Sequence, residues 1–142
     1  DYLDEDTFCL TYGDGVADID IGRTIDHHYK KGLQATVSAV QPPGRFGALQ
    51  IEKDRVVSFQ EKPHGDRYWV NGGFFVLNKS VIDLIDGDTC VWEQEPLMKL
   101  ASSGELASYK HDGFWHPMDT LRDKLYLEDL WTKNNAPWKV WT

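Results

Sequence analysis

The sequence predicts an α/β protein, a mixed sheet flanked by helices, and three observations carry that expectation. A short apolar run, "TFCLTYG", is followed by a helical pattern and then by a second apolar run, "LQATVSAVQP". That strand, helix, strand order favours parallel strands. Two alternating segments around "EKD" form an antiparallel excursion, so the sheet is not purely parallel. Strand-like and helix-like segments then go on alternating to the last helical pattern.

Each element has its own local reason. "TFCLTYG" reads as a central strand buried on both faces, a continuous apolar run that ends on Gly and Asp. In "DIDIGRTIDHHYKKG", Ile21, Ile25 and His28 recur at helical spacing, Lys30 and Lys31 occupy the last turn, and Gly32 stops it. "FGALQIEKDRVVSFQEKP" reads as two alternating strands, and "WVNGGFFVLNKS" as a strand carrying two glycines. "SVIDLID" then starts a helix with Ser80 as a plausible cap. "EQEPLMKLASSG" predicts another, with Pro96 tolerated in its first turn and Gly104 near its end. "ELASYKHDGFWHPMD" holds two short strands around Asp112 and Gly113, and "TLRDKLYLEDLWTKN" is an amphipathic helix with Leu121, Leu125 and Leu127 among its apolar positions. The aromatic tail "APWKVWT" is expected to dock, a neighbouring subunit being one candidate surface.

Composition bounds the function. The 142 residues fit one domain, 1–142, and 41% hydrophobic with 13% aromatic residues is enough for a real core. The formal charge of -8, from 23 acidic against 15 basic residues interspersed along the chain, makes nucleic acid a poor partner. No apolar run approaches the roughly 20 residues that span a bilayer, and no leader pattern opens the chain. A soluble, cytoplasmic protein without a membrane partner is expected. Cys9 and Cys90 are too few and too far apart for a disulfide framework or a zinc site, and are expected to be reduced.

Several residues carry candidate chemistry, each beside a plainer reading. Asp14, in "TYGDG", falls at the carboxyl end of a predicted strand, where ligands collect in open α/β sheets, or else it merely makes a turn. A carboxylate there suits Mg²⁺, which takes a few hard oxygen ligands and leaves other positions to water and phosphate. Asp119, in "FWHPMDTL", is either the N-cap of the last helix or a second ligand to the same ion. Glu61 and Lys62 end the strand "DRVVSFQEKP" as a solvated pair, or point to opposite faces and bind separately. In the second case the carboxylate accepts from a sugar hydroxyl and the lysine meets a phosphate. The glycines of "VNGGFF", and Gly47 beside Arg45 and Phe46, mark either bulges or close approach of a ligand. His27 and His28 lie within one helix, so metal binding by the pair is not expected. No nucleophile motif and no glycine-rich phosphate loop is present in these 142 residues.

Taken in order, "TYGDG", "PPGRFGAL", "SFQEKP", "NGGFFVLN", "WEQEPL" and "FWHPMDTLRD" resemble the sugar-1-phosphate nucleotidylyltransferases, from about Phe8 to Trp141. "YGDG", "WEQEPL" and "FWHPMDTLRD" point within them to the cytidylyl branch. The resemblance implies a Rossmann-like mixed sheet, the second half of a nucleotide-diphospho-sugar transferase fold. It implies transfer of a cytidylyl group from CTP to α-D-glucose 1-phosphate, with Mg²⁺, giving CDP-glucose and pyrophosphate. By motif position Asp14 and Asp119 are the Mg²⁺ ligands, Lys62 the contact to the glucose phosphate, and Glu61, Asn71, Gly72 and Gly47 the glucose contacts. Arg45 and Trp115 receive no role. A homo-oligomer and a place in bacterial O-antigen (lipopolysaccharide) synthesis also follow from the resemblance. The family's "GGxGTR" loop and following lysine are missing, so the chain is expected to be a carboxyl-terminal portion, inactive alone, bearing the acceptor and metal half of the site. The choice between CTP and UTP stays open. The alternatives are a non-catalytic sugar-phosphate-binding or regulatory domain, and an oligomerisation domain.

Overall fold

The computed structural model describes residues 3–42, 48–60 and 68–141. Its strands are β1 (Thr7–Thr11), β2 (Gly15–Ala17), β3 (Ala35–Val40), β4 (Ala48–Glu52), β5 (Arg55–Gln60), β6 (Val70–Asn78), β7 (Leu106–His111) and β8 (Trp115–Pro117). Its α-helices are α1 (Ile21–Lys31), α2 (Glu95–Ser102) and α3 (Leu121–Thr132). The principal sheet has the order β1-β6-β3-β7. β6 runs antiparallel to both β1 and β3, while β3 and β7 are parallel. β1 and β3 therefore share a direction, as the strand, helix, strand order requires, but β6 lies between them and makes the sheet mixed.

That insertion corrects one expectation. β1 is not central in the described sheet but at its edge, with Cys9 and Thr11 exposed. An apolar run reports that a strand seeks cover, not which neighbour supplies it. Although Cys9 is exposed, the apolar groups on one side of its thiol raise its pKa.

The helix α1 forms where local chemistry dictates. Asp20 caps it, accepting from the Arg23 N–H at 3.0 Å, and Gly32, at φ 64°, ends it with its N–H on the His28 carbonyl. Its inward face carries Thr24 and His28, both buried. His28 Nε2 lies 3.0 Å from the Asn78 Oδ1 and Nδ1 lies 3.0 Å from the Thr36 hydroxyl. Asn78 also donates through Nδ2 to the Leu33 carbonyl, so its Oδ1 is the acceptor facing His28. The imidazole proton then sits on Nε2, and Thr36 donates to Nδ1. This buried network ties α1 to β3 and β6 with its polar groups paired, the condition for keeping such groups in a core.

The apolar core lies on the sheet around Ala35, Phe75, Leu77, Val81 and Leu100, with Leu10, Tyr12 and Trp92 packed against it. Phe75 meets Trp92 edge to face at 5.6 Å and Tyr12 at a tilt at 5.6 Å. β4 and β5 form a separate hairpin whose turn residues, Lys53 (φ 44°) and Asp54 (φ 67°), are both left-handed. That is the turn that matches strand twist, reached here without glycine. No helix among the described residues is long and apolar enough to cross a membrane.

Three local expectations change. Residues Lys79–Leu84 form a 3-10 helix with Asn78 at its start and no side-chain cap, and the Ser80 hydroxyl instead donates to Gln34 Oε1 at 2.5 Å. The N-cap of α3 is Thr120, not Asp119: Thr120 and Asp123 exchange bonds in a capping box. The tail docks on its own chain, Trp138 stacking on Phe114 at 5.5 Å, while Val140 and Trp141 remain exposed.

Candidate active site

The two candidate metal carboxylates are 105 positions apart in sequence, Asp14 to Asp119, and a short ladder brings their backbones together. β2 and β8 pair antiparallel, Gly15 opposite Pro117 and Ala17 opposite Trp115. The ladder is extended at one end by the Met118 N–H on the Asp14 carbonyl at 2.6 Å, and at the other by the Asp18 N–H on the Phe114 carbonyl at 3.1 Å. Asp14 is thus opposite Met118, and Asp119 is the next residue. Both aspartates are exposed. Because Thr120 caps α3, the helix does not require the Asp119 side chain as its cap.

The chemistry of these residues suits Mg²⁺: two hard carboxylate donors, both exposed, on backbones that meet at one end of a ladder. Among the described residues no group of three or more His, Cys, Asp or Glu gathers in a way that could hold a metal by protein ligands alone. A cation that keeps much of its coordination for other ligands needs no such cage.

Beside the ladder, β6 carries Asn71, Gly72 and Gly73 directly after its first residue, Val70. Asn71 accepts the Gly73 N–H through Oδ1 at 2.8 Å and donates through Nδ2 to the Tyr12 hydroxyl at 3.0 Å. The two bonds orient the amide. They leave one Nδ2 hydrogen and one Oδ1 lone pair for anything bound at this exposed position. Glu93 also acts on the Tyr12 phenol. Its pKa is pushed up to about 12, first by desolvation and then by the Glu93 hydrogen bond, with the charges of Glu93 and Asp14 adding and Asn71 opposing. The phenol is therefore a proton donor at any neutral pH.

The glycines are explained by the sheet itself. A Cβ on Gly72 would lie 2.8 Å from Val40 Cγ1 and 2.9 Å from the Ser38 carbonyl oxygen, and one on Gly73 would lie 2.9 Å from the Tyr12 ring. Gly73 also adopts φ 77°, where the β3–β6 register shifts between Val37 and Ala39. A bulge and close strand approach account for both glycines.

Of the residues expected from sequence, Asp14 and Asp119 have their backbones brought near each other by the ladder, and Asn71 and Gly72 are consecutive on β6. Gly47, Glu61 and Lys62, with Arg45, lie outside the described residues. Sequence reasoning missed Tyr12 and Glu93, although both stand inside motifs it singled out, "TYGDG" and "WEQEPL". It also left Trp115 without a role, yet its indole N–H donates to the Gly72 carbonyl at 2.8 Å. No local pattern announces these contacts.

A mixed sheet flanked by helices has counterparts of the same fold among solved structures. HddC from Yersinia pseudotuberculosis superposes with a TM-score of 0.64 at 23% identity, over 88% of this chain and 55% of that one. A putative glucose-1-phosphate thymidylyltransferase from Bacillus anthracis, crystallised with sucrose, superposes at 0.61 and 16% identity, over 99% of this chain and 58% of that one. The chain belongs to the nucleotidyl transferase family, whose sequence model matches residues 1–116. It is 64% identical over 138 residues to the glucose-1-phosphate cytidylyltransferase of Salmonella typhi, covering 97% of this chain and 54% of that protein. It is 43% identical over 143 residues to a probable glucose-1-phosphate cytidylyltransferase of Bacillus subtilis, covering 99% and 56%. The chain thus spans about half the length of the curated relatives it matches.

Proposed function

We propose that this chain is the acceptor and metal half of a catalytic domain that transfers a cytidylyl group from CTP to α-D-glucose 1-phosphate. A phosphate oxygen of the sugar phosphate attacks the α-phosphorus of CTP. The bond from that phosphorus to the bridging oxygen breaks, and pyrophosphate leaves with the electron pair. CDP-glucose and pyrophosphate account for every atom, with no covalent enzyme intermediate. The observation that supports this reading is the β2–β8 ladder, which brings the backbones of residues 14 and 119 close together. The names of the relatives support the choice of substrates.

The chemistry asks the protein for position and charge rather than for a nucleophile. Asp14 and Asp119 are the residues that would hold Mg²⁺, and the ion when bound supplies positive charge to phosphate oxygens. Asn71 offers its remaining N–H and lone pair to sugar hydroxyls, with Gly72 beside it. Glu61 and Gly47 complete the glucose contacts by motif, and Lys62 meets the sugar phosphate as a point charge. The 142 residues contain no glycine-rich phosphate loop, so the polypeptide by itself is expected to form no CDP-glucose. A homo-oligomer and a supply of CDP-glucose to bacterial surface polysaccharide complete the proposal on the family resemblance.

The test is calorimetric titration of glucose 1-phosphate into the chain with and without Mg²⁺. Binding is expected, weakened about tenfold or more by Lys62→Ala through loss of a charged hydrogen bond. Asp14→Asn and Asp119→Asn are expected to abolish the effect of Mg²⁺. Binding indifferent to Lys62 would remove the residue on which acceptor recognition rests.

A further inference from the structure

The β2–β8 ladder is three residues long on each strand and belongs to neither of the other described sheets. A ribbon that short has no stability of its own. Whatever fastens it to the four-stranded sheet therefore decides where Asp14 and Asp119 stand.

Two side-chain contacts do so. At the end away from the carboxylates, Asp18 Oδ1 lies 2.9 Å from His111 Nε2 at the end of β7. The same nitrogen lies 3.1 Å from the Phe114 carbonyl, and its single proton cannot be well directed at both, so Asp18 Oδ1 has attraction without a formed hydrogen bond. The second contact is better made. Trp115, on β8, sends its indole N–H to the Gly72 carbonyl on β6 at 2.8 Å, in a partly buried setting. The indole passes over Gly15 of the partner strand: a Cβ there would lie 3.7 Å from Nε1. The acceptor Gly72 is itself buried, with Val40 and the Ser38 carbonyl filling the space where a side chain would stand. Its neighbour Asn71 is held by Tyr12 and by the Gly73 N–H. One hydrogen bond thus joins the ladder bearing the carboxylates to the residue next to Asn71.

We propose that Trp115 is a positioning residue, whose indole N–H on the Gly72 carbonyl sets the separation between the carboxylates of Asp14 and Asp119 and the acceptor-binding Asn71. The inference rests on the function proposed above. It makes metal binding and sugar-phosphate binding energetically coupled, each strengthening the other by the same factor. Trp115→Phe keeps most of the ring and removes the N–H. Both carboxylates ride on one ladder, so metal affinity should change by less than about twofold, whereas the coupling should fall by about fivefold or more.

The probe is Mn²⁺, titrated into the isotope-labelled chain while the relaxation of the Asn71 side-chain amide is followed by NMR. In Trp115→Phe that relaxation is expected to change by about twofold or more, with Mn²⁺ affinity retained. The gain in glucose 1-phosphate affinity produced by Mg²⁺ is expected to shrink in the same variant. Unchanged Asn71 relaxation overturns the proposal, whatever the sugar phosphate does. Failure of the native chain to bind Mn²⁺ or glucose 1-phosphate would instead sink the functional reading. The fastening is then decided by exchange of the Met118 and Asp18 amides: faster in Trp115→Phe supports it, unchanged overturns it. Should Trp115→Phe not fold, the native chain decides. A Trp115 indole proton that exchanges as fast as those of the exposed Trp131 and Trp141 overturns the bond.

Discussion

Replacing Gly72 by alanine should destabilise the fold even though alanine is ordinarily the better residue. Glycine to alanine at a compatible site stabilises by about 0.4–1 kcal/mol, because the unfolded chain loses freedom. At Gly72 the added Cβ would stand 2.8 Å and 3.3 Å from the two methyls of Val40 and 2.9 Å from the Ser38 carbonyl oxygen. Val40 is 1% exposed and Ser38 is fully buried, so neither has space to move into. The methyls can turn only within a packed core, and the carbonyl belongs to the β3 backbone, so relief means parting β3 from β6. Overpacking of this kind costs about 1–3 kcal/mol, which outweighs the entropic gain. Net of that gain the loss reaches about 2.5 kcal/mol, which for a chain of this length lowers the melting temperature by several degrees, up to about 9 °C. Gly15 is the control: its added Cβ makes only ordinary contacts, at 3.7 Å and 4.0 Å, so Gly15→Ala should be neutral or slightly stabilising. Thermal melts followed by circular dichroism compare the two variants without any ligand. An unchanged melting temperature in Gly72→Ala, or an equal loss in Gly15→Ala, would refute the argument that strand approach explains this glycine.

Three further outcomes are expected. Tyr12 should titrate near pH 12, above its ordinary value of 10. Its folded pKa is the higher one, so its contribution to stability is complete below pH 10 and lost as pH rises toward 12. Glu93→Gln should lower that pKa, which ultraviolet difference titration would detect. Thr120→Ala removes the α3 capping box and should cost about 0.5–2 kcal/mol in urea denaturation, with Asp123→Ala showing part of the same loss. Phe75→Ala empties the centre of the core, where the ring is 2% exposed between Tyr12 and Trp92, and should cost about 3–5 kcal/mol by the same assay.

Much of this molecule was legible from local chemistry. Gly32 ends α1 because a cap acts on residues three or four positions away, whereas the Asp20 cap at its start emerged only in the fold. The β4–β5 hairpin follows from the alternation on either side of the polar "EKD", of which the fold gives Glu52 to the strand and leaves Lys53 and Asp54 as the turn. The order of motifs led to the family, since each motif is a contiguous stretch whose residue types survive reading in isolation. Errors fell where two local signals competed. Ser80 and Asp119 both have capping chemistry, but Ser80 found Gln34, 46 positions away, and Thr120 lay one step nearer the helix.

The sequence by itself determined the α/β class, the end of α1 at Gly32, and which residue types were available as carboxylates, amide and glycines. Tertiary structure alone decided which of them meet. β1 became an edge because β6, about sixty positions later, entered between β1 and β3. Asp14 and Asp119 became neighbours through a ladder closed across 104 positions, and Trp115 acquired its partner 43 positions away. A side chain's reach is a few ångströms whatever the sequence separation. Periodicity reports which face of an element is apolar, and only the packed sheet reports what that face, or the open end beside it, encounters.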